Sequence, residues 1–343
     1  MSQIAGESID RLVSTEMRAP DFISGVTWAL YDAAREAQGA PLSFLAARAL
    51  QERIKPGDYI FFLTGAGSVP WRPNGETDGP IGAVSLARAV ALALGAKPIY
   101  ISHKDYLPPI IAASESAGVT VLNREMLDYN YWLSAMALPF PLGKGPHAEA
   151  AARRLLDEFH PAAVISIEKL GPNRKGVVHG ISGRLRVAEN EPFTDLIVER
   201  ARQNEILTIN IGDNSNEFGY SKIFDAVRRI HPYGSVCRCP CGDGVACAVE
   251  TDILVHGAVS NWAAHGVAAC LAVLLENQSL LHDPPVEEKM LQACVDAGAE
   301  GGPGRRQPWV DNIPPSVHVA LVTMLHGIID RALVKPRHID RPW

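Results

Sequence analysis

The sequence predicts an α/β protein: a Rossmann-like, doubly wound, mostly parallel sheet with helices on both faces and extra helices at both termini. Two observations predict it. Short continuous apolar runs, such as Asp58-Tyr-Ile-Phe-Phe-Leu-Thr64 and Ala162-Ala-Val-Ile-Ser-Ile167, have the length and composition of strands buried on both faces. Segments of helical periodicity stand between such runs, and a βαβαβ order is what a parallel sheet with crossover helices requires.

The elements follow in order. Residues 24–52 place Trp28, Leu30, Tyr31, Ala34, Leu42, Phe44, Leu45 and Leu50 at helical spacing, so 1–54 reads as an N-terminal helical cap. The first strand, 58–64, runs into the turn Gly65-Ala-Gly67. A helix over 82–94, a strand over 98–102, a helix over 107–117 and a strand over 120–122 complete one half of the sheet. Pro139, Pro141, Gly143, Gly145 and Pro146 then break the rhythm, so 127–146 marks a long loop or the entry to a second lobe around 125–195. The alternation resumes with helix 147–159, strand 162–167, a polar loop to 192, a helix to 203 and strand 207–211. A helix near 219–230, a strand over 246–255 and helices over 261–276, 286–297 and 315–334 close a main domain of 55–335, with 336–343 as a tail.

Composition excludes several classes. Apolar residues make up 47% and charged residues 20% of 343, enough to bury a large core without extended disorder. The formal charge of -6 comes with no long run of Lys and Arg, so nucleic acid is not an expected partner. The opening residues lack a basic-then-apolar leader, and no uninterrupted apolar stretch reaches the ~18 residues of a membrane span, so a cytoplasmic protein without membrane association is expected. Cys237, Cys239, Cys241, Cys247, Cys270 and Cys294 all fall in the last third, which favours reduced thiols over a disulfide framework. The spacing Cys237-x-Cys239-x-Cys241 differs from common zinc knuckles, so a reduced surface loop is preferred there, with Cys247 facing the core from the next strand. Gly65-Ala-Gly67 continues as Ser68-Val69 without a third glycine and no P-loop is present, so no nucleotide cofactor is expected; G-x-S-x-G is absent too.

In doubly wound sheets ligands bind beyond the carboxyl ends of the strands, so polar segments that follow strands converge in space. Four stand out. In Asn74-Gly-Glu-Thr-Asp-Gly-Pro-Ile-Gly82, Asp78 suits a helix N-cap, yet one cap suffices, and Glu76 with Asp78 puts two carboxylates on a glycine-flanked loop suited to Mg²⁺ or Mn²⁺. In Ile211-Gly-Asp-Asn-Ser-Asn-Glu-Phe-Gly219, Asp213, Asn214, Asn216 and Glu217 supply more oxygen-bearing side chains than one turn needs. Ser260 and Asn261 begin a helix whose free N–H groups suit a carboxylate, although simple capping explains them equally. Glu168 follows a buried strand, in a loop where Arg174 and Lys175 are suited to an anionic substrate.

These segments resemble the C-terminal domain of the D-glutamate cyclase family over about residues 55–335. The carriers are Glu76-Thr-Asp-Gly-Pro-Ile-Gly82, Ser166-Ile-Glu168 with Gly171, Ile211-Gly-Asp213 with Asn216-Glu217 and Gly219, Val259-Ser-Asn-Trp262, and Val310-Asp311. The resemblance implies a Rossmann-like domain and dehydration of D-glutamate to 5-oxo-D-proline, or of a related small amino dicarboxylate. This chain departs from the family pattern where glycines are usual, with Asn214, Ser215, Ala263, Ala264 and Asn312, and with Glu300 in place of an aspartate. The full-length cyclases carry another domain ahead of this one.

On this resemblance Glu76, Asp78, Asp213 and Glu217 form a metal site for Mg²⁺ or Mn²⁺. Glu168, Asp213, Glu217 and Asp311 form the catalytic set, with Glu168 or Asp311 moving the proton. Thr77, Arg174, Asn216, Ser260 and Asn261 bind a small anionic substrate, and assembly into a homo-oligomer is open. Two other readings stay beside it: metal-dependent hydrolysis of a cyclic amide or a phosphate ester, and a non-catalytic metabolite-binding protein.

Overall fold

The computed structural model describes residues 2–18, 23–67, 72–129, 132–302, 304 and 306–334. The expected tail, 336–343, lies outside the described residues. Three helices open the chain: α1 (Ser2–Val13), α2 (Thr27–Gln38) and α3 (Leu42–Arg53). Of these, α1 was not foreseen; its polar residues are frequent, but Ala5, Ile9 and Val13 recur at helical spacing and are buried. Buried Asp10 ties the cap together by accepting from Leu42 N at 2.6 Å, Ser43 N at 3.1 Å and the Tyr31 hydroxyl at 3.1 Å.

The sheet has seven strands: β1 (Tyr59–Leu63), β2 (Lys97–Ser102), β3 (Thr120–Val121), β4 (Ser134–Pro139), β5 (Ala163–Ile167), β6 (Leu207–Gly212) and β7 (Ile253–His256). They are ordered β3-β4-β2-β1-β5-β6-β7, and every pair is parallel. The chain builds outward from β1 to one edge, then returns to the other side of β1 at β5. That reversal is the switch point at which such sheets open a crevice. Helices α4 (Pro80–Leu94), α5 (Leu107–Ser116), α6 (Arg124–Asp128), α7 (Pro146–Phe159), α8 (Asp195–Gln203) and α9 (Phe224–Ile230) connect the strands. Next come α10 (Ser260–Leu274), α11 (Pro284–Asp296) and α12 (Pro315–Leu333).

Two expectations on the elements are corrected. Residues 134–139, placed in a loop or at the entry to a second lobe, form β4 inside the one sheet; the small residues of Ser134-Ala-Met-Ala gave a weak strand signal. The strand expected over 246–255 is confined to Ile253–His256, because residues 246–250 run as irregular chain that caps the neighbouring loops, with Cys247 N bonded to Ser215 O at 3.3 Å and Ala248 N to Pro172 O at 2.9 Å.

Apolar side chains fill both faces of the sheet. One core joins β1, β5 and β6 to α1–α5 and α10–α12, and the other lies under α7 and α8. Every residue of α10 from Ser260 to Val273 is buried, as an all-round apolar helix must be. Its small residues permit close approach: a Cβ on Gly82 of α4 would stand 2.8 Å from Asn261 Cα and 2.9 Å from Ala264 Cβ. On its far side His265 and His282 face Glu287 Oε2 at 3.2 and 2.9 Å, a closed and fully buried group. Among the described residues α12 is the one helix long and apolar enough to cross a bilayer by length and composition; in this fold it docks on the core through His318, Leu321, Val322, Leu325 and Ile329.

Candidate active site

The loops that leave β1, β5, β6 and β7 meet at the switch point, and each delivers a side chain. The loop after β1 brings Thr77 and Asp78, the end of β5 brings Glu168, the loop after β6 brings Asp213 to Glu217, and the start of α10 brings Ser260 and Asn261. Asp78, Glu168 and Asp213 offer carboxylate oxygens that all lie within 4.8 Å of one another. The group is buried rather than an open cleft, and its most accessible carboxylate is Asp311, with a side chain 12% exposed.

Two helix starts cap each other across this junction. The sequence placed Asp78 as the cap of α4. Instead Asp78 Oδ1 and Oδ2 accept from Asn261 N at 2.9 Å and Ser260 N at 3.2 Å, capping α10. Asn261 returns the bond: its Oδ1 accepts from Gly79 N at 2.9 Å and Gly82 N at 2.7 Å, and its Nδ2 donates to Thr77 O at 3.0 Å. The α10 terminus expected to hold a substrate carboxylate therefore already holds one from the protein, and Asn261 is a framework residue. Thr77 is framework too, with its hydroxyl on Trp309 O at 2.7 Å and its N–H on Glu300 O at 3.2 Å.

Glu168 sits at φ 53°, a left-handed backbone that side chains disfavour. Such strain at a strand end re-aims the side chain toward the crevice. The Ser260 hydroxyl donates to its Oε2 at 2.6 Å, which leaves Oε1 toward the other acids. Burial first, then the charges of Glu217 and Asp78, hold the Glu168 carboxyl well above its ordinary value. Burial and the neighbouring Asp311 push Asp78 up to about 7. Asp213 is likewise raised well above its ordinary value, by burial and by Glu168, against the opposing pull of Arg18.

Arg18 is the residue that sequence reasoning missed. It lies between α1 and α2 in the segment read as a packing cap, and its guanidinium is buried among the acids. Nη1 donates to Asp213 Oδ2 at 3.1 Å and to Asn214 Oδ1 at 2.7 Å, and stands 3.6 Å from Asp311 Oδ2. Among the described residues its Nε and Nη2 have no partner, nor do Asp213 Oδ1, Asn216 Oδ1 and the Ser215 hydroxyl, all buried. Unpaired buried groups cost folding free energy, so a concentration of them at one point marks a place for a ligand. No local pattern marks Arg18, which is 195 residues from Asp213.

The remaining expected residues fall elsewhere. Glu76 is paired with Arg72. Glu217 accepts from Asn214 N at 3.1 Å, and of the four acids expected, Asp78 and Asp213 stand with Glu168 in the group whose oxygens lie within 4.8 Å of one another. Asn216 reaches the site with Oδ1 while its Nδ2 donates to His179 O at 2.9 Å. Arg174 is exposed and stacks 3.7 Å from the centre of the Phe224 ring. The departures from the family pattern also find their places. Ser215 and Asn312 adopt φ 73° and 63°, the left-handed conformation a glycine would take without strain. Asn214 holds Arg18, and Ala263 and Ala264 pack against Gly257 and Gly82 in the helix contact, away from the acids.

The donor set suits a hard divalent cation: three clustered carboxylates, with Asp213 Oδ1 unpaired. Asp78, Glu168, Asp213 and Asp311 surround the guanidinium of Arg18, Glu217 adds a fifth acid beside Glu168, and the charges of Arg72 and Lys169 reach the same group. Protons or a cation must balance the excess.

A family model described as D-glutamate cyclase-like, C-terminal, matches residues 31–326. The human protein named D-glutamate cyclase, mitochondrial, is 26% identical over 254 residues, which cover 71% of this chain and 35% of that protein. The chain thus spans about a third of the length of that relative. The match includes all seven strands and every acid of the cluster, although Arg18 lies ahead of it, and the chain belongs to the D-glutamate cyclase-like C-terminal family.

Proposed function

We propose that this chain is a lyase that removes water from an amino dicarboxylate, D-glutamate or a close analogue, to form a lactam. The observation that carries the reading is the pair of guanidinium nitrogens of Arg18 without a partner among the described residues, beside Asp213 Oδ1, likewise without one, inside a group of carboxyls whose burial raises them above their ordinary values. An Arg fork is the natural receptor for a substrate carboxylate.

Ring closure forms one C–N bond and breaks one C–O bond. The nitrogen gives up two protons, and the departing oxygen takes two and leaves as water. Glu168, whose carboxyl burial and the charge of Glu217 hold well above its ordinary value, is the acid beside the leaving oxygen, with Ser260 donating to its Oε2. Asp311, the most accessible acid, is the base for the ammonium. Arg18 holds a carboxylate and Asp213 orients Arg18. Asp78 and Asp213, with Glu168 as a third ligand once its proton has left, would hold Mg²⁺ or Mn²⁺, which supplies Lewis acidity to a carboxylate oxygen when bound. Burial of the group excludes bulk water, which favours lactam over hydrolysis.

The test is incubation of the purified chain with D-glutamate and Mg²⁺ or Mn²⁺, following the lactam by NMR. Turnover that disappears in Asp213→Asn supports the reading. A folded chain that turns over no amino dicarboxylate, or an Asp213→Asn variant as active as the parent, overturns it.

A further inference from the structure

The cysteine cluster set aside on spacing acquires a fourth partner in the fold. Cys237, Cys239 and Cys241 crowd one turn of the chain between α9 and β7, with Cys237 Sγ 3.4 Å from Cys239 Sγ and 3.3 Å from Cys241 Sγ. His179 arrives from the loop after β5, its Nε2 3.2 Å from Cys239 Sγ and 3.5 Å from Cys241 Sγ. All four ligand atoms lie within 4.8 Å of one another.

We propose that His179, Cys237, Cys239 and Cys241 form a structural zinc site. Tetrahedral zinc with Zn–S of ~2.3 Å and Zn–N of ~2.0 Å requires S···S edges of ~3.8 Å and S···N edges of ~3.5 Å. The recorded separations lie within about half an ångström of those edges. Three sulfurs and one imidazole leave no open position, which is the arrangement of a structural rather than a catalytic ion. Soft sulfur donors also select zinc over the Mg²⁺ or Mn²⁺ suited to the carboxylate group.

The surroundings support the ligands. Asn173 Nδ2 donates to Cys241 Sγ at 3.4 Å and to Gly244 O at 2.9 Å, and Lys175 Nζ donates to Cys241 O at 2.6 Å, placing positive charge beside an anionic ZnS₃N centre. Gly244 (φ 76°) allows the tight return of the loop, since a Cβ there would stand 2.2 Å from Gly234 O. Cys239 and Cys241 are half-buried, so solution ions reach them, whereas Cys247, Cys270 and Cys294 are buried elsewhere.

The site has a structural consequence. Zinc joins the chain from 173 to 186 to the chain from 234 to 247, and His179 O receives the Asn216 amide. The ion therefore anchors the loop that carries Asp213, from behind.

The experiment uses the full chain, purified under reducing conditions, with zinc measured by elemental analysis and zinc replaced by Co²⁺. The expected result is one thiol-bound zinc per chain. The cobalt form should show a thiolate-to-metal charge-transfer band and the intense visible bands of a tetrahedral ion, which a carboxylate site cannot produce. Cys239→Ser should lose both signals while Cys294→Ser keeps them. Should Cys239→Ser fail to fold, release of zinc from the wild-type chain in step with titration of three thiols decides the matter. Absence of zinc together with cobalt spectra lacking thiolate bands overturns the proposal, as does a disulfide among these cysteines in the reduced protein.

Discussion

Replacing Arg18 by Met keeps a long, flexible side chain and removes the one guanidinium in direct contact with the acids. Arg18 Nη1 lies 3.1 Å from Asp213 and 3.6 Å from Asp311, with a fully buried side chain. Breaking a buried ion pair by deleting one partner costs about 3–5 kcal/mol, because the other charge stays buried and uncompensated. Unfolding entropy of about 2.1 cal/mol/K per residue over 343 residues converts that to a fall of about 4–7 °C in the melting midpoint. The loss depends on pH in a defined direction. Asp213 carries a proton more readily than an ordinary Asp, and a protonated Asp213 does not need its cation. The Arg18→Met variant should therefore lose the full amount at pH 8 and clearly less at pH 5, measured by urea denaturation of the metal-free chain. Added Mg²⁺ should restore part of the loss at pH 8, since an ion replaces the missing charge. An equal loss at both pH values, or a loss below about 1 kcal/mol, would refute the view that Arg18 balances this cluster.

Three further outcomes are expected. Asn261→Ala strands Gly82 N and Thr77 O, while Gly79 N keeps Asp78 Oδ1 at 3.0 Å, and at ~1–3 kcal/mol for each buried group the denaturation midpoint should fall sharply, whereas a near-neutral result would mean that the two helix starts do not cap each other. Asp78, pushed up to about 7 from 3.8, contributes stability that is complete below about pH 4 and lost as pH rises through about 7, worth up to ~4 kcal/mol at ~1.4 kcal/mol per pH unit. His231 and His318, lowered by burial to about 4, slope the other way, so the measurement is the difference between the metal-free parent and Asp78→Asn across that range; parallel profiles would exclude the effect. Ser215→Gly relieves a left-handed backbone and deletes a hydroxyl that has no partner among the described residues, so it should stabilise the chain by about 1 kcal/mol in chemical denaturation, and a destabilised variant would show that the hydroxyl has a partner.

Much of the architecture was legible in the chain. The strands at 58–64, 98–102, 162–167 and 207–211 appeared as apolar runs because strands buried on both faces admit little else, and the structure places them at 59–63, 97–102, 163–167 and 207–212. The weak strand β4 and the late start of the 246–255 strand at Ile253 were not legible, since Ser and Ala carry little β signal and pairing there is decided by neighbours. The acids Asp78, Glu168 and Asp213 were identifiable from their positions beyond strand ends, and Asp311 only from the family resemblance.

The sequence by itself determined the parallel sheet, the edge on which polar loops gather, and the acidic character of the site, because hydrophobic periodicity and strand order are local patterns with global consequences. Only the tertiary structure decided which acids meet, that Asp78 caps a helix 182 residues away, that Arg18 enters from the cap, and that His179 completes the cysteine cluster. Each of those facts is a contact between segments remote along the chain. Side-chain type announces what a residue can do, but which partner it finds depends on how the strands are ordered and how closely the helices pack.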